Sequence, residues 1–225
     1  MGFSSAKVVG FLHTAEAHVA TFDSLLRATD LDVEVVHLVR PELLEMARRL
    51  GTESEEVRTH TGAAIRELAD LGPALIMCTC STIGELAEAH PGPIPVIRSD
   101  RPMAEFAVRS GHRIAVVASV ASTIEPTLAL LHSVARTSSV QPAIVSTPCL
   151  EAWPLFEAGD HQGYWSAVAS HVDRLGPEFD VVVLAQASML GSLQFTKRSG
   201  VLASPVSAVE HLRDVVQAKP LVQPG

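Results

Sequence analysis

ALIMCTC at residues 74–80 and DVVVLAQA at residues 180–187 are the two stretches that decide the fold. Each is a continuous apolar run that contains β-branched residues and ends near a polar or sulfur-containing side chain. A run that is mostly apolar, without strict alternation of apolar and polar residues, is typical of a parallel strand buried on both faces. Six further runs of this kind occur, at residues 7–13, 33–39, 94–97, 113–119, 140–146 and 201–204.

Amphipathic stretches separate these runs. Apolar residues recur at helical spacing within residues 42–50, 55–71, 164–175 and 207–216. Strands that alternate with helices predict βαβ units, right-handed crossovers and parallel sheets covered on both faces. The sequence therefore predicts an α/β fold.

The spacing of the runs repeats. A separation of 106 residues occurs three times, between Lys7 and Arg113, Val33 and Ser139, and Cys80 and Gln186. The repeat predicts two pseudo-symmetric, Rossmann-like lobes, each with a roughly four-stranded parallel sheet flanked by helices. We place the first lobe at residues 1–99 plus 206–225, which includes the C-terminal helix, and the second lobe at residues 100–205.

Composition and charge exclude several classes of protein. Hydrophobic residues make up 47% of the chain and charged residues 19%, as expected for a globular core. The densest apolar run, residues 181–185, is far shorter than the roughly 18 residues that a transmembrane helix needs. The net charge of −8 argues against binding to nucleic acid or to an anionic membrane. The composition leaves a homo-oligomeric state open.

Cysteine usage indicates the compartment. The chain has three cysteines, and Cys78 and Cys80 are separated by one residue, which does not suggest a disulfide framework. The first six residues also lack the long apolar core of a signal peptide. We therefore expect a cytoplasmic protein.

In open α/β sheets, ligands bind beyond the carboxyl ends of the strands. With two lobes, we expect the active site in the cleft between them, lined by residues that follow the strands. The candidates at these strand ends are His13, Thr14, Cys80, Ser81, Thr82, Ser119, Ser122, Thr123, Gln186 and Ser188.

Cys80 is the sharpest of these signals. Residues 82–85, TIGE, have the form of a capping box, which predicts that a helix begins just after the cysteine. The positive end of a helix dipole favours a thiolate. The alternative is a buried structural cysteine, and we expect Cys78 to be a deeper and inert residue of that type.

Two more helix starts are candidates. Residues 122–125, STIE, form a second capping-box pattern, so Ser122 and Thr123 either cap a helix or hold an anion at its N-terminus. Asp100 precedes a helix that is predicted to start near Pro102, where it either caps the helix or belongs to the site.

Histidines and cofactor motifs give weaker signals. His13 and His18 flank the end of the first strand, whereas His37 is predicted to be a packing residue within the second. There is no P-loop, G-x-G-x-x-G or H-E-x-x-H motif, so no nucleotide cofactor is indicated. The lone C-x-C pair lacks the second pair of ligands that zinc sites need, and no metal is predicted.

Five segments together resemble the Asp/Glu racemase superfamily, which includes glutamate, aspartate and hydantoin racemases, maleate isomerase and arylmalonate decarboxylase. They are GFLHTAEAH (10–18), CTCSTIG (78–84), IPVIRSDRPMAE (94–105), ASTIEPT (121–127) and LAQASM (184–189). The resemblance spans nearly the whole chain. It implies two pseudo-symmetric lobes, a C-terminal segment that packs on the first lobe, and Cys80 as the first catalytic cysteine.

The sequence departs from the family at one position. The family's racemases carry a second cysteine at the equivalent strand end of the second lobe, where this chain has Gln186. Racemisation by two bases needs a proton-exchanging group on each face of the carbon, and an amide does not exchange protons usefully. Arylmalonate decarboxylase-like members also keep one thiol, but in the opposite lobe. Cys149, His13 and His18 are the alternative second acids.

These observations predict a cofactor-independent enzyme that moves a proton at the α-carbon of a small carboxylate. Cys80 is the predicted acid/base, and hydroxyls and backbone N–H groups stabilise an enolate-like intermediate. The single thiol favours an isomerase or decarboxylase. The alternatives are an amino-acid or hydantoin racemase with a different second base, and a carboxylate-binding protein without catalysis.

Overall fold

A computed structural model describes residues 7–218 of the chain. The expectations for the first six residues, and for 219–225 within the first lobe, lie outside the described residues. The chain divides into two compact units: Asp100–Ser207 forms one, and the segments on either side of it form the other. Each unit contains a four-stranded sheet in which every neighbouring pair of strands is parallel. The predicted α/β class with two four-stranded parallel sheets is confirmed.

The first unit has strand order β2-β1-β3-β4. Its elements are β1 (Lys7–His13), α1 (Ala17–Arg27), β2 (Val33–Val39), α2 (Pro41–Leu50), α3 (Glu55–Ala69), β3 (Leu75–Cys78), α4 (Gly84–Glu88) and β4 (Val96–Arg98).

The second unit has strand order β6-β5-β7-β8. Its elements are α5 (Arg101–Ser110), β5 (Arg113–Val117), α6 (Ala121–Thr137), β6 (Ala143–Ser146), a 3₁₀ helix (Leu150–Ala152), α7 (Trp153–Glu157), α8 (His161–Asp173), β7 (Val181–Leu184), a second 3₁₀ helix (Ala187–Gln194), β8 (Val201–Ala203) and the start of α9 (Ser204–Ala218).

The central strands are buried on both faces, which explains their unbroken apolar sequence. In β3, Leu75 and Met77 join an apolar cluster with residues of α1 and α9, whereas Ile76 and Cys78 join another with residues of α2 and α3. Alternation of this kind follows from the two-residue period of a strand. Full burial of one large apolar side chain contributes about 1.5–3 kcal/mol.

The C-terminal helix α9 begins in the second unit and packs in the first. Ala208, Val209 and Leu212 lie in the same apolar cluster as Phe11 of β1 and Phe22 of α1. Within residues 7–218, no helix is long and apolar enough to cross a membrane.

The predicted repeat of 106 residues holds only in part. β3 and β7 are offset by 106, since Leu75 corresponds to Val181. Val9 pairs with Leu75 and Ile114 pairs with Val181, so β1 and β5 are offset by 105. The strand registers give a sequence offset of 105 residues between β4 and β8, and of 109 residues between β2 and β6. Loops of unequal length therefore break the constant offset that apolar patterning alone suggested.

The predicted capping boxes are wrong. Helix α4 begins at Gly84, after a turn, and α6 begins at Ala121, one residue before the predicted motif. Neither helix has a side-chain capping hydrogen bond. Asp100 does occupy the position before α5, yet its side chain makes no capping hydrogen bond either. Local S/T-x-x-E patterns therefore did not locate the helix starts, because the turns after the strands set them.

Candidate functional site

Cys80 lies two residues beyond the end of β3. It is 6% exposed and packs in an apolar cluster with Leu12 and Ile83, while the polar residues Ser81 and Thr82 that follow it are also buried. The Cys78 thiol is more deeply buried and donates to the backbone oxygen of Cys80 at 3.7 Å. The sequence prediction that Cys80 follows a strand end is therefore matched by the structure. Its catalytic role stays a prediction.

The helix after Cys80 is short. Helix α4 has five residues and starts four positions after the cysteine, so the expected support from a helix dipole is weak. A different positive group lies behind this loop. Arg98 is 2% exposed, and its Nη2 donates to the backbone oxygen of Ser81 at 3.4 Å.

Gly84 makes room for this arginine. A Cβ atom at Gly84 would lie 2.9 Å from Nε of Arg98, so any larger residue would push the guanidinium away. Arg98 lies within the family-like segment 94–105, but no sequence pattern indicates a role for it. Its buried position next to the loop of Cys80 depends on the pairing of β3 with β4, where Cys78 lies opposite Arg98.

Two buried histidines lie beside Thr79, the residue before Cys80. Nδ1 of His13 is 2.8 Å from Oγ1 of Thr79, and Nδ1 of His18 is 3.4 Å from the same oxygen. Nε2 of His13 is 2.8 Å from Nδ1 of His37. Both ring nitrogens of His13 therefore have partners within the unit, and the predicted contact of His13 with substrate stays a prediction. We call His13, His18, Thr79 and Cys80 the first strand-end cluster.

The environment keeps both buried imidazoles neutral. Burial, and then the charges that His18 and His37 would carry, lower the pKa of His13 to about 3. Burial lowers the pKa of His18 to about 4. Thr14, the other candidate at this strand end, is buried directly after β1.

The corresponding strand end of the second unit has different chemistry. Oε1 of Gln186 accepts hydrogen bonds from the backbone N–H of Ser119 at 2.7 Å, from that of Val120 at 3.2 Å and from the Ser119 hydroxyl at 3.1 Å. Because two backbone donors point at this atom, it must be the amide oxygen rather than the nitrogen. The Gln186 side chain thus accepts hydrogen bonds from a set of donors that could otherwise bind an anion.

Tyr164 extends this network. Its hydroxyl lies 2.9 Å from Oγ of Ser119 and 3.0 Å from Oγ of Ser188, and the backbone oxygen of Ser188 accepts from the indole of Trp165 at 2.8 Å. Burial raises the pKa of Tyr164 to about 12, so the phenol stays neutral. No sequence pattern points to Tyr164, which is 22 residues from Gln186 in the chain. We call Ser119, Tyr164, Gln186 and Ser188 the second strand-end cluster.

Ser122 and Thr123 lie in the first turn of α6. Thr123 is buried, and its backbone N–H donates to the oxygen of Val120 at 3.1 Å. Oγ of Ser122 is sealed from solvent and has no hydrogen-bond partner among the described residues. An unpartnered buried hydroxyl is costly, so this atom is a candidate donor to a ligand.

Cys149 is buried, and its thiol donates to Oε1 of Glu151 at 3.5 Å. Burial, and then the Glu151 carboxylate, raise the pKa of the Cys149 thiol to about 12. Ligand atoms of Cys149, Glu151 and His171 lie within 4.8 Å of one another, which is the spacing of a metal site. The positive charge of Arg174 beside Cys149 and Glu151 opposes a second cation there. The expectation of a metal-free protein stays a prediction.

The fold of this chain is similar to that of several solved structures. No family model and no curated protein matches the sequence. The solved structure of Picrophilus torridus aspartate racemase is similar, with a TM-score of 0.73 and 13% identity over 94% of this chain and 95% of that one. Glutamate racemase from Francisella tularensis has a TM-score of 0.68 and 15% identity over 97% and 84% of the two chains.

Allantoin racemase from Klebsiella pneumoniae is also similar, with a TM-score of 0.58 and 14% identity over 95% of this chain and 89% of that one. Identities this low bear on the fold and leave activity open. The resemblance that the motifs predicted is confirmed for the fold: the chain has the fold of these aspartate, glutamate and allantoin racemase structures.

Proposed function

We propose that the chain is a cofactor-independent enzyme that transfers a proton at the α-carbon of a small carboxylate through an enolate-like intermediate. The observation that carries this proposal is the position of Cys80, just beyond the end of β3 in a sheet of racemase fold. The substrate class is a small mono- or dicarboxylate or a close analogue. Cys80 is the proposed acid/base.

The surroundings of Cys80 support this role. Ser81 and Thr82 are buried directly after the thiol, and the Arg98 guanidinium behind the loop donates to the Ser81 backbone oxygen and so holds the loop in place. In the second unit, the unpartnered hydroxyl of Ser122 and the Thr123 hydroxyl are the proposed donors to a carboxylate. Donors of this kind stabilise charge that develops in the transition state.

Gln186 favours a reaction that needs one thiol. Its oxygen is bonded to Ser119 and Val120, so its amide N–H groups are what it can offer to a ligand. An amide donates hydrogen bonds but does not exchange a proton at useful rates. We therefore propose an isomerase or decarboxylase type of reaction, in which Cys80 alone gives or takes the proton at carbon.

A racemase with a second base other than cysteine is the main alternative. The second group in that reaction stays unassigned: the raised pKa of the Cys149 thiol makes it a poor acid near neutral pH, and the lowered pKa values of His13 and His18 make their imidazoles weak bases. The similarity to an allantoin racemase structure makes hydantoin-like substrates worth testing alongside amino acids.

A carboxylate-binding protein without catalysis is the alternative from another class. The three hydrogen bonds that the Gln186 amide oxygen accepts favour a binding protein. They hold the second strand end in place with groups that do not transfer protons. Low reactivity of the Cys80 thiol, together with tight ligand binding, would also favour a protein that binds a carboxylate without catalysis.

Proton NMR in D₂O separates these functions. Amino acids, hydantoins, hydroxy acids and aryl or alkyl malonates are incubated with the wild type, Cys80→Ala, Cys80→Ser and Cys149→Ala. We expect deuterium uptake or CO₂ loss with at least one compound, reduced by at least about a thousandfold in both Cys80 variants. Near wild-type turnover in folded Cys80→Ala would overturn the assignment. Binding without exchange for every compound would favour the non-catalytic protein.

A further inference from the structure

Three side chains of the second unit that can bind a metal ion converge on one another. Cys149 follows β6, Glu151 lies in the 3₁₀ helix Leu150–Ala152, and His171 lies in α8. One ligand atom from each of the three residues lies within 4.8 Å of the other two. No other group of three His, Cys, Asp or Glu side chains is as close together within residues 7–218. We call Cys149, Glu151 and His171 the thiol–imidazole cluster.

The distances in this cluster fit a tetrahedral zinc site. Sγ of Cys149 is 3.5 Å from Oε1 of Glu151. Zinc binds sulfur at about 2.3 Å and nitrogen or carboxylate oxygen at about 2.0–2.2 Å, so tetrahedral ligands lie roughly 3.3–3.6 Å apart. The sulfur and the oxygen therefore already have the separation that one shared ion requires. The His171 nitrogen, within 4.8 Å of both, reaches the same ion after a shift of at most about 1.5 Å.

The hydrogen bond of His171 prepares its ring to bind a metal. Nε2 of His171 lies 2.9 Å from the backbone oxygen of Thr147, and because a carbonyl oxygen only accepts, Nε2 carries the ring proton. In the neutral ring, Nδ1 then keeps a lone pair. Metal-bound histidines commonly donate their other ring N–H to a backbone carbonyl in this way. The bond to Thr147 thus orients the ring and makes Nδ1 the nitrogen that can bind a metal.

The charges in the thiol–imidazole cluster are those that a divalent cation balances. Burial, and then the Glu151 carboxylate, raise the pKa of Cys149, because a thiolate there is desolvated and repelled by its neighbour. A cation bound to both groups reverses this repulsion, and a coordinated thiol loses its proton. Arg174 is the opposing charge beside Cys149 and Glu151, so it weakens cation binding without removing the ligands.

The combination of donor atoms selects the metal. Magnesium and calcium prefer sites built from oxygen atoms, whereas thiolate and imidazole ligands favour zinc among the common divalent ions. A carboxylate is also an ordinary zinc ligand. When zinc has three protein ligands, a water molecule takes the fourth position.

We propose that Cys149, Glu151 and His171 bind one Zn²⁺ ion, with water as the fourth ligand. The S–H bond of Cys149 breaks, its electron pair forms the bond to zinc, and the proton passes to solvent. The ion cross-links the segment after β6 to α8. This proposal replaces the sequence-based expectation of a metal-free protein, and it does not depend on the proposed role of Cys80.

Titration of the reduced protein with Cd²⁺ tests the site without a known substrate, because a thiolate bound to Cd²⁺ gives a charge-transfer band in the ultraviolet. We expect one Cd²⁺ per chain, loss of the band in Cys149→Ser, and at least about tenfold weaker binding in Glu151→Gln and in His171→Gln. The Cd²⁺ affinity of His161→Gln, at an exposed position of α8, should match that of the wild type.

Two further variants sharpen the titration. Arg174→Gln removes the opposing charge, so we expect its Cd²⁺ affinity to rise by about threefold to tenfold. Cys80→Ser should keep the band, since the pair Cys78 and Cys80 is not the proposed site. A band that is lost in Cys80→Ser and kept in Cys149→Ser would assign the metal to that pair and overturn the proposal.

Zn²⁺ itself gives a second readout. An ion that binds only the folded protein raises the unfolding temperature as its concentration increases. We expect this rise in the wild type, its reversal by a chelator, and a smaller rise in Glu151→Gln. Equal rises in the wild type, Glu151→Gln and His171→Gln would contradict the site.

Two other results would also overturn the proposal. One is the absence of a thiolate band when one equivalent of Cd²⁺ is added to the wild type. The other is unchanged Cd²⁺ affinity in both Glu151→Gln and His171→Gln, because the metal would then be held by a thiol alone. Glu151 is exposed, so its variant keeps the test valid should the buried Cys149→Ser fail to fold.

Discussion

The two strand-end clusters occupy corresponding places in sheets of corresponding strand order, yet their chemistry is opposite. The first cluster combines a thiol with two imidazoles, groups that can take up and release protons. The second cluster consists of hydroxyls, a phenol and an amide that stay neutral and satisfy one another. The scaffold determines where side chains emerge, and a few residues determine whether protons can move there.

Acid sensitivity gives the largest expected difference between the clusters. His13 and His18 have folded-state pKa values of about 3 and about 4, below the ordinary 6.5, so the unfolded chain binds more protons between those values. Their contribution to stability is complete above about pH 6.5 and is lost as the pH falls toward 4. We expect the free energy of unfolding to drop by roughly 2–4 kcal/mol between pH 7 and pH 5.

Urea titrations at a series of pH values measure this slope. His18→Gln should flatten it by about one proton, whereas His132→Gln, at an exposed position, should leave it unchanged. An equal slope in the wild type and His18→Gln would show that the first strand-end cluster is not the acid-sensitive part of the protein.

Gln186→Ala should break the second cluster. It removes the acceptor shared by two backbone N–H groups and one hydroxyl, and buried donors left unpaired cost about 1–3 kcal/mol. We expect a loss of about 2 kcal/mol in the free energy of unfolding at pH 7. Gln194→Ala, at an exposed position, is the matched control. A loss below about 0.5 kcal/mol, as for a neutral surface change, would show that water replaces the amide without strain.

Tyr164→Phe is the smallest of these changes. It removes the hydroxyl that lies between Ser119 and Ser188 while keeping the buried ring, so we expect about 1 kcal/mol of destabilisation. A double-mutant cycle with Ser188→Ala tests whether the two residues act as one network. Additive losses in the free energy of unfolding would show that Tyr164 and Ser188 act independently. The contrast between the two strand-end clusters would then rest on Gln186 alone.

Sequence reasoning succeeded where the signal is local and periodic. The eight apolar runs predicted the strands of both sheets because buried parallel strands require such runs. Cys80 and Gln186 were identified as strand-end residues for the same reason. Short motifs were less dependable: the patterns at residues 82–85 and 122–125 did not cap helices, since the turns before α4 and α6 determine where each begins.

The missed features depend on contacts between distant parts of the chain. His37 was predicted to be a packing residue, but its ring joins His13, 24 positions away, to Asp23. Arg98 reaches Ser81 only because β4 pairs with β3. No pattern of spacing announces such contacts, because they follow from strand order and side-chain direction rather than from neighbours in sequence.

The amide oxygen of Gln186 also constrains how this sequence can change. Replacing Gln186 with cysteine would restore a thiol but leave the donors of Ser119 and Val120 without an acceptor. That single substitution is therefore unfavourable unless a second change, or the negatively charged end of a ligand, fills the gap. The effect of a cysteine at position 186 therefore depends on whether a compensating substitution is already present. The order in which the two substitutions occur decides whether a two-thiol site is accessible from this sequence.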